Sequence, residues 1–359
     1  MTAPGPTILL GGRSRCAFHV WGVAGYTAAA ALTITLTVSA GLFVPVVLLL
    51  QLLAAAVFYA LAMATRMVLR TECLIYYHHE IAVLAVSGAV LRLLGFPLLA
   101  YLDVAAIGLG VFLAFGRLGC ASVGCCYGKP AARGFVYGLA HAEAGFPAAL
   151  CGVRLLPVQW IESALVAALT TISASLVWRH AQPGTALTVY VAGYALLRFS
   201  LEFFRGDDGR GYVAGFSVAQ WTSAAFGVGL AAPAPVLAPV LPLAMLAIAA
   251  YRRREGPWLA WFEARHVHEL ANLLAIAHRD RQPLVFRTSE GLRLSAGVGT
   301  IGGAAVEHYT LSSAAGPIPP GPARRLARLL AQLRGRPRCH GSLVPGGQGV
   351  VHVILSTTS

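Results

Sequence analysis

The sequence predicts an α-helical polytopic membrane protein of about seven transmembrane helices, with an extramembrane head segment and a small α+β soluble C-terminal domain. Three observations carry that expectation. Charged residues make up 11% of the 359 positions and hydrophobic ones 57%, whereas a soluble globule carries about 25% charge. Apolar runs long enough to cross about 30 Å of hydrocarbon recur between residues 17 and 250. Beyond residue 254 the pattern changes to short alternating runs and amphipathic helical periods, as a soluble fold requires.

Residues 17–40 and 41–64 form the first two apolar runs. A polar piece at 65–73 and the cluster Tyr76-Tyr77-His78-His79-Glu80 precede a third span at 81–99, and 103–118 gives a fourth. Residues 119–156 are rich in Gly, Pro and mixed charge, with little periodicity, and read as the head segment. Residues 157–178 and 185–204 give the fifth and sixth spans. Residues 215–250 give a seventh, interrupted by Pro233, Pro235, Pro239 and Pro242 and therefore divisible into two pieces.

These runs divide the chain into a transmembrane domain at 1–254 and a soluble domain at 255–359. In the latter, 258–279 reads as an amphipathic helix and 284–295 as a hairpin around Ser289-Glu290-Gly291. Strands follow at 306–311 and 349–355, with a basic amphipathic helix at 322–333. No motif there names a partner, and His266, His268 and His278 read as surface residues.

Net charge is +13, carried almost wholly by arginine, with Lys129 the only lysine. In a membrane chain this excess is explained first by topology and by membrane lipid headgroups; no nucleic-acid module is present to explain it otherwise. Seven spans place the termini on opposite sides. The basic residues Arg92, Arg179 and Arg252 to Arg254 then make one side cytoplasmic, with the N-terminus periplasmic and the C-terminal domain cytoplasmic. Arg66, Arg70, Lys129, Arg133 and Arg154 fall outside against that rule and suit an anion site.

The chemistry concentrates in a few stretches. Arg198, Glu202 and Arg205 lie at i, i+4 and i+7 and share one face of a helix otherwise apolar. Charges inside a membrane helix cost about 2.5–3.5 kcal/mol each on insertion scales, so they face a bundle interior or a wet cavity. Two guanidiniums around one carboxylate suit a phosphate or carboxylate ligand rather than a metal. Gly116-Arg117-Leu118-Gly119-Cys120 leads into Gly124-Cys125-Cys126-Tyr127-Gly128-Lys129, and Pro157-Val158-Gln159-Trp160-Ile161-Glu162 opens the fifth span. The seven cysteines form no CxxC pair. Cys120, Cys125 and Cys126 stand open as packing residues, a disulfide brace or reactive thiols.

These motifs resemble the bacterial prolipoprotein diacylglyceryl transferases over roughly residues 16–250. Gly116, Arg117, Gly119 and Gly128, with Asp103 fourteen residues before Arg117, keep the frame of the family signature. Pro157, Gln159 and Glu162 match its HisProSerGlnLeuTyrGlu stretch, and Gly193, Tyr194, Arg198, Glu202, Phe203, Phe204 and Arg205 match its arginine helix. Ser217 and Gln220 keep a following SerMetGlyGln, and Trp21 sits in a first-span motif similar to HisTrpTyrGly. Departures are Cys120 for Asn, Cys125 for an acidic residue and Leu156 for His.

The resemblance implies transfer of the diacylglyceryl group of phosphatidylglycerol to a lipobox cysteine of a prolipoprotein, in the inner membrane, with neither metal nor cofactor. It implies His78 as the catalytic base, by spacing from Asp103, with His79 next to it. Arg117 and Arg198 would be catalytic, and Arg205, Glu202, Glu162, Gln159, Gly116, Gly119, Gly128, Tyr194 and Trp21 would bind substrate. Two other readings stay open: a catalytically divergent binder of anionic phospholipid, and a membrane thiol–disulfide protein using Cys120, Cys125 and Cys126.

Overall fold

The computed structural model describes residues 1–69, 76–229, 236, 238–280, 285–301, 303–335 and 342–356. Arg70, Cys73, Pro233, Pro235 and Cys339 lie outside the described residues. A short hairpin, β1 (Thr7–Leu10) and β2 (Arg13–Cys16), precedes α1 (Ala17–Ser39), α2 (Val44–Leu69), α3 (Tyr76–Leu93) and α4 (Leu98–Val123). The head holds β3 (Pro130–Val136), the short α5 (Leu139–Glu143) and β4 (Arg154–Leu155). It leads into α6 (Val158–Trp178) and α7 (Thr185–Leu201), then β5 (Tyr212–Val213), β6 (Phe216–Ser217), α8 (Val218–Gly229) and α9 (Val240–Glu255).

Five described helices are long and apolar enough to cross a membrane: α1, α2, α4, α6 and α7 with its 3₁₀ extension. Seven were expected. The third expected span appears as α3, five residues earlier than its apolar run suggests. Gly95, at φ 74°, and Pro97 end one helix and start the next, so 94–97 is a turn rather than helix.

Helix α4 is the centre of the bundle, buried along Asp103, Ala106, Ile107, Gly110, Leu113 and Arg117. Small residues let its neighbours approach: a Cβ on Gly110 would collide with Thr170 and Tyr190, and one on Gly25 of α1 with Phe115. Asp103 Oδ2 accepts the Gly184 N–H and Oδ1 the Leu187 N–H, both at 2.7 Å. An acid of α4 thereby caps the N-terminus of α7, where unpaired N–H groups and the helix dipole favour negative charge.

Among the described residues the expected seventh span is two short helices. At 1.5 Å per residue, α8 and α9 are about 18 and 24 Å long, short of a full crossing. They run antiparallel: Gly227 near the end of α8 lies beside Leu241 of α9. At the other end Arg252 donates to the Gly215 carbonyl and stacks on Phe216, 5.2 Å from the ring centroid. The chain therefore returns to the head end.

The C-terminal domain has α10 (Ala264–Asp280), β7 (Val285–Arg287), β8 (Leu292–Ile301), β9 (Ala304–Ser313), α11 (Pro320–Leu333), β10 (Ser342–Pro345) and β11 (Val351–Ser356). Its antiparallel sheet has the order β10-β11-β9-β8-β7. One apolar core joins it to the head. Leu270, Leu274, Leu326 and Leu330 share a cluster with Phe135, Tyr137, Phe146 and Leu150. The N-terminus lies there too, with Ala3 N–H bonded to the Val136 carbonyl. The N-terminus, the head and the C-terminal domain thus share one core, at the end of the bundle to which α9 returns.

Candidate functional site

The site gathers where α4, α6 and α7 meet the head. Arg117, near the end of α4, places Nε 2.9 Å from Glu162 Oε2 of α6, and Tyr194 of α7 donates its hydroxyl to the other Glu162 oxygen at 3.4 Å. Arg198 Nη1 lies 2.7 Å from Glu202 Oε2. After Leu201 the helix tightens into a 3₁₀ turn at Glu202–Phe204, and Arg205 leaves it in extended conformation. The i+7 spacing therefore describes a helix that ends before it. Arg205 still turns inward, since its backbone bridges to Gly128 and the Gly206 N–H bonds the Tyr127 carbonyl at 2.8 Å.

Glu162 and Glu202 thus hold Arg117 and Arg198, but neither acid holds Arg205. Instead Arg205 is gripped by Asp207 in a two-point fork, Nε to Oδ1 at 2.7 Å and Nη2 to Oδ2 at 2.8 Å. The second partner of Glu202 is Arg210. Arg210, Asp207, Asp208 and the cavity-facing Tyr77 are additions. The legible signal was Gly206-Asp207-Asp208-Gly209-Arg210, two acids and a base in a glycine-flanked turn directly after Arg205.

Arg117, Arg198, Arg205 and Arg210 line a single cavity of about 410 Å³ with Glu202, Asp207, Asp208, Tyr77 and Tyr194. Arg205 is 4% exposed, yet its Nη1 has no hydrogen-bond partner among the described residues. A buried guanidinium N–H without an acceptor is costly, and in a cavity wall it marks the place of a ligand oxygen.

One wall of the cavity is the cysteine loop. Gly124, at φ 80°, ends α4, and Cys125 and Cys126 both line the cavity. Gln159 Nε2 donates to the Cys125 carbonyl at 2.8 Å and to the Tyr137 hydroxyl at 3.2 Å, which fixes the loop. Cys126 has the left-handed φ of 57°, uncommon for a residue with a side chain. Hydrogen bonds from Cys120 and Cys125, then the charges of Arg205 and Arg117, hold the Cys126 thiol well below its ordinary pKa. Burial and the neighbouring Arg210 lower Lys129. Cys16, Cys120, Cys125, Cys126 and Cys151 are free thiols, so no described pair forms the disulfide brace.

Other expected site residues sit elsewhere. His78 is exposed, and His79 is buried against Phe58 with ring centroids 4.4 Å apart. Neither lines the arginine cavity, whose α3 residue is Tyr77. Gly119 and Trp21 pack α4 against α1: a Cβ on Gly119 would stand 3.3 Å from the Trp21 Cβ. Gly128 has no room for a Cβ beside Leu156 and Val158, so it serves the close crossing of two chain segments. Gly116 faces open space.

The profile of the prolipoprotein diacylglyceryl transferase family matches residues 17–232. A phosphatidylglycerol–prolipoprotein diacylglyceryl transferase 2 of Clostridium perfringens is 33% identical over 126 residues, 34% of this chain and 45% of the relative. A phosphatidylglycerol–prolipoprotein diacylglyceryl transferase of Clostridium tetani is 33% identical over 128 residues, 35% and 48% of the two chains. One of Dehalococcoides mccartyi is 31% identical over 107 residues, 30% and 40%. The matched stretch thus spans less than half the length of each relative. With the family profile covering the helical bundle and its arginine cavity, the chain belongs to the prolipoprotein diacylglyceryl transferase family.

Proposed function

We propose that the chain transfers the sn-1,2-diacylglyceryl group of phosphatidylglycerol to the thiol of a prolipoprotein lipobox cysteine, releasing glycerol 1-phosphate. The observation that carries this is the Arg205 Nη1, buried and without a partner, in a cavity shared with Arg117, Arg198 and Arg210. The acceptor sulfur forms a bond to the terminal glyceryl carbon. The carbon–oxygen bond to phosphate breaks, and its electron pair stays on the phosphate oxygen. Fixed guanidiniums stabilise the charge growing there, in a site largely shielded from water. The same positive charges acidify the incoming thiol, whose proton leaves to solvent. Glu162, Glu202 and Asp207 hold the arginines in position. An apolar cavity of about 230 Å³ between α1, α2, α3 and α4, lined by Leu50, Phe58, Val83 and Phe112, suits acyl chains. The chain would sit in the bacterial inner membrane with head, N-terminus and C-terminal domain on the periplasmic side.

One observation favours a second reading, binding of anionic phospholipid without transfer: no histidine lines the arginine cavity among the described residues. The test is purified protein with labelled phosphatidylglycerol vesicles and a lipobox peptide. The transferase reading expects glycerol phosphate in wild type and about 10²–10³-fold less from Arg198→Ala. Vesicle binding that Arg198→Ala abolishes, with no glycerol phosphate released by wild type, supports the second reading and sinks the first.

A further inference from the structure

We propose that Cys120, Cys125 and Cys126 form a three-coordinate site for a soft, thiophilic cation of the Cu(I) class. Their sulfur atoms all lie within 4.8 Å of one another, and no fourth His, Cys, Asp or Glu belongs to the group among the described residues. Metal–sulfur bonds of about 2.3 Å place three sulfurs about 4 Å apart in a trigonal plane, so closure needs shifts below an ångström. Zinc almost always completes a tetrahedron with a fourth ligand, whereas an all-sulfur set of three suits Cu(I).

The backbone prepares this trio. Cys120 is buried in the last turn of α4, and the N–H groups of Gly124 and Cys125 both bond back to its carbonyl, at 3.0 and 3.2 Å. Two left-handed residues, Gly124 and Cys126, fold the loop over that helix end. Gln159 holds the Cys125 carbonyl from α6. Cys125 is exposed and borders the arginine cavity, which supplies an entry path. Three thiolates around a monovalent ion leave two negative charges, and Arg117 and Arg205 line the same cavity to offset them. The three sulfur ligands are not among the proposed substrate contacts, so the site stands apart from the transferase reading, although Arg117 and Arg205 serve both.

The test is anaerobic titration of the full-length protein in detergent with Cu(I), against a chromophoric Cu(I) chelator and under a non-thiol reductant. Wild type is expected to withdraw one equivalent, with X-ray absorption showing three sulfur neighbours at about 2.3 Å. Cys120→Ser/Cys126→Ser should weaken binding at least a hundredfold, and Cys16→Ser/Cys151→Ser should leave it unchanged. Cys125→Ser, at an exposed position, gives the same loss if the double variant fails to fold. Retained affinity in Cys125→Ser, a mixed nitrogen or oxygen shell, or Zn(II) held more tightly than Cu(I) overturns the proposal.

Discussion

Two buried glutamates, Glu202 beside the cavity and Glu307 in the C-terminal domain, are built alike and end differently. Glu307 accepts from Arg334 through both oxygens, at 2.8 and 3.0 Å, and from the Tyr309 hydroxyl at 2.7 Å. There the acid, the base and the hydroxyl satisfy one another. Glu202 holds Arg198 and Arg210, but next to them Arg205 keeps an unmatched N–H in the cavity wall. Matched charges serve structure, and the unmatched donor marks a place for a ligand.

The sharpest way to break that contrast is Arg198→Ala. It should lower glycerol phosphate release by about 10²–10³-fold, as loss of a fixed donor to transition-state charge does, while the folded fraction by size-exclusion stays as in wild type. A variant that keeps full rate would make the cavity cluster merely structural. Glu307→Gln should do the reverse: the release rate holds, and stability falls by about 2 kcal/mol through weakened charge-assisted bonds, read as a lowered unfolding midpoint. Asp103→Ala removes the cap on α7 and should cost about 1 kcal/mol; an unchanged midpoint would show that water replaces the carboxylate.

The smallest effect concerns His308, whose Nε2 lies 3.0 Å from His352 Nδ1. Burial and then His352 lower its pKa below the ordinary 6.5. Below that pH the unfolded chain binds the extra proton first, so stability is full above about pH 6.5 and is lost as pH falls through the folded value. The unfolding midpoint should drop slightly between pH 7 and pH 5, and His352→Asn should flatten the slope.

The bundle was legible because its apolar runs end at charges, glycines and prolines: α1, α6 and α7 lie within a few residues of their expected positions. The strands and helices after residue 264, apart from β10, were legible from alternation and amphipathicity for the same reason. The course of 215–250 was not, since a proline-broken apolar run reads alike whether it crosses or turns back. In the site, Arg117 with Glu162 and Arg198 with Glu202 followed from motif and spacing. The Arg205 clamp did not, because it depends on where α7 stops. The place of His78 depends on the rotation of α3, since one residue along a helix turns a side chain by about 100° and replaces His78 with Tyr77 at the cavity.

Each full crossing of a bilayer reverses the side on which the next residue emerges, and a segment that enters and leaves by one face reverses nothing. With α1, α2, α3, α4, α6 and α7 as six crossings, an α8–α9 pair that turns back would set the parity of the whole protein and, in the proposed orientation, deliver about a hundred further residues to the compartment where the arginines open. Reporters inserted at Gly145 and fused after Ser356 should read the same compartment. In that orientation, whatever the appended sheet recognises would be met on the doorstep of the chemistry, with no signal to send through the membrane.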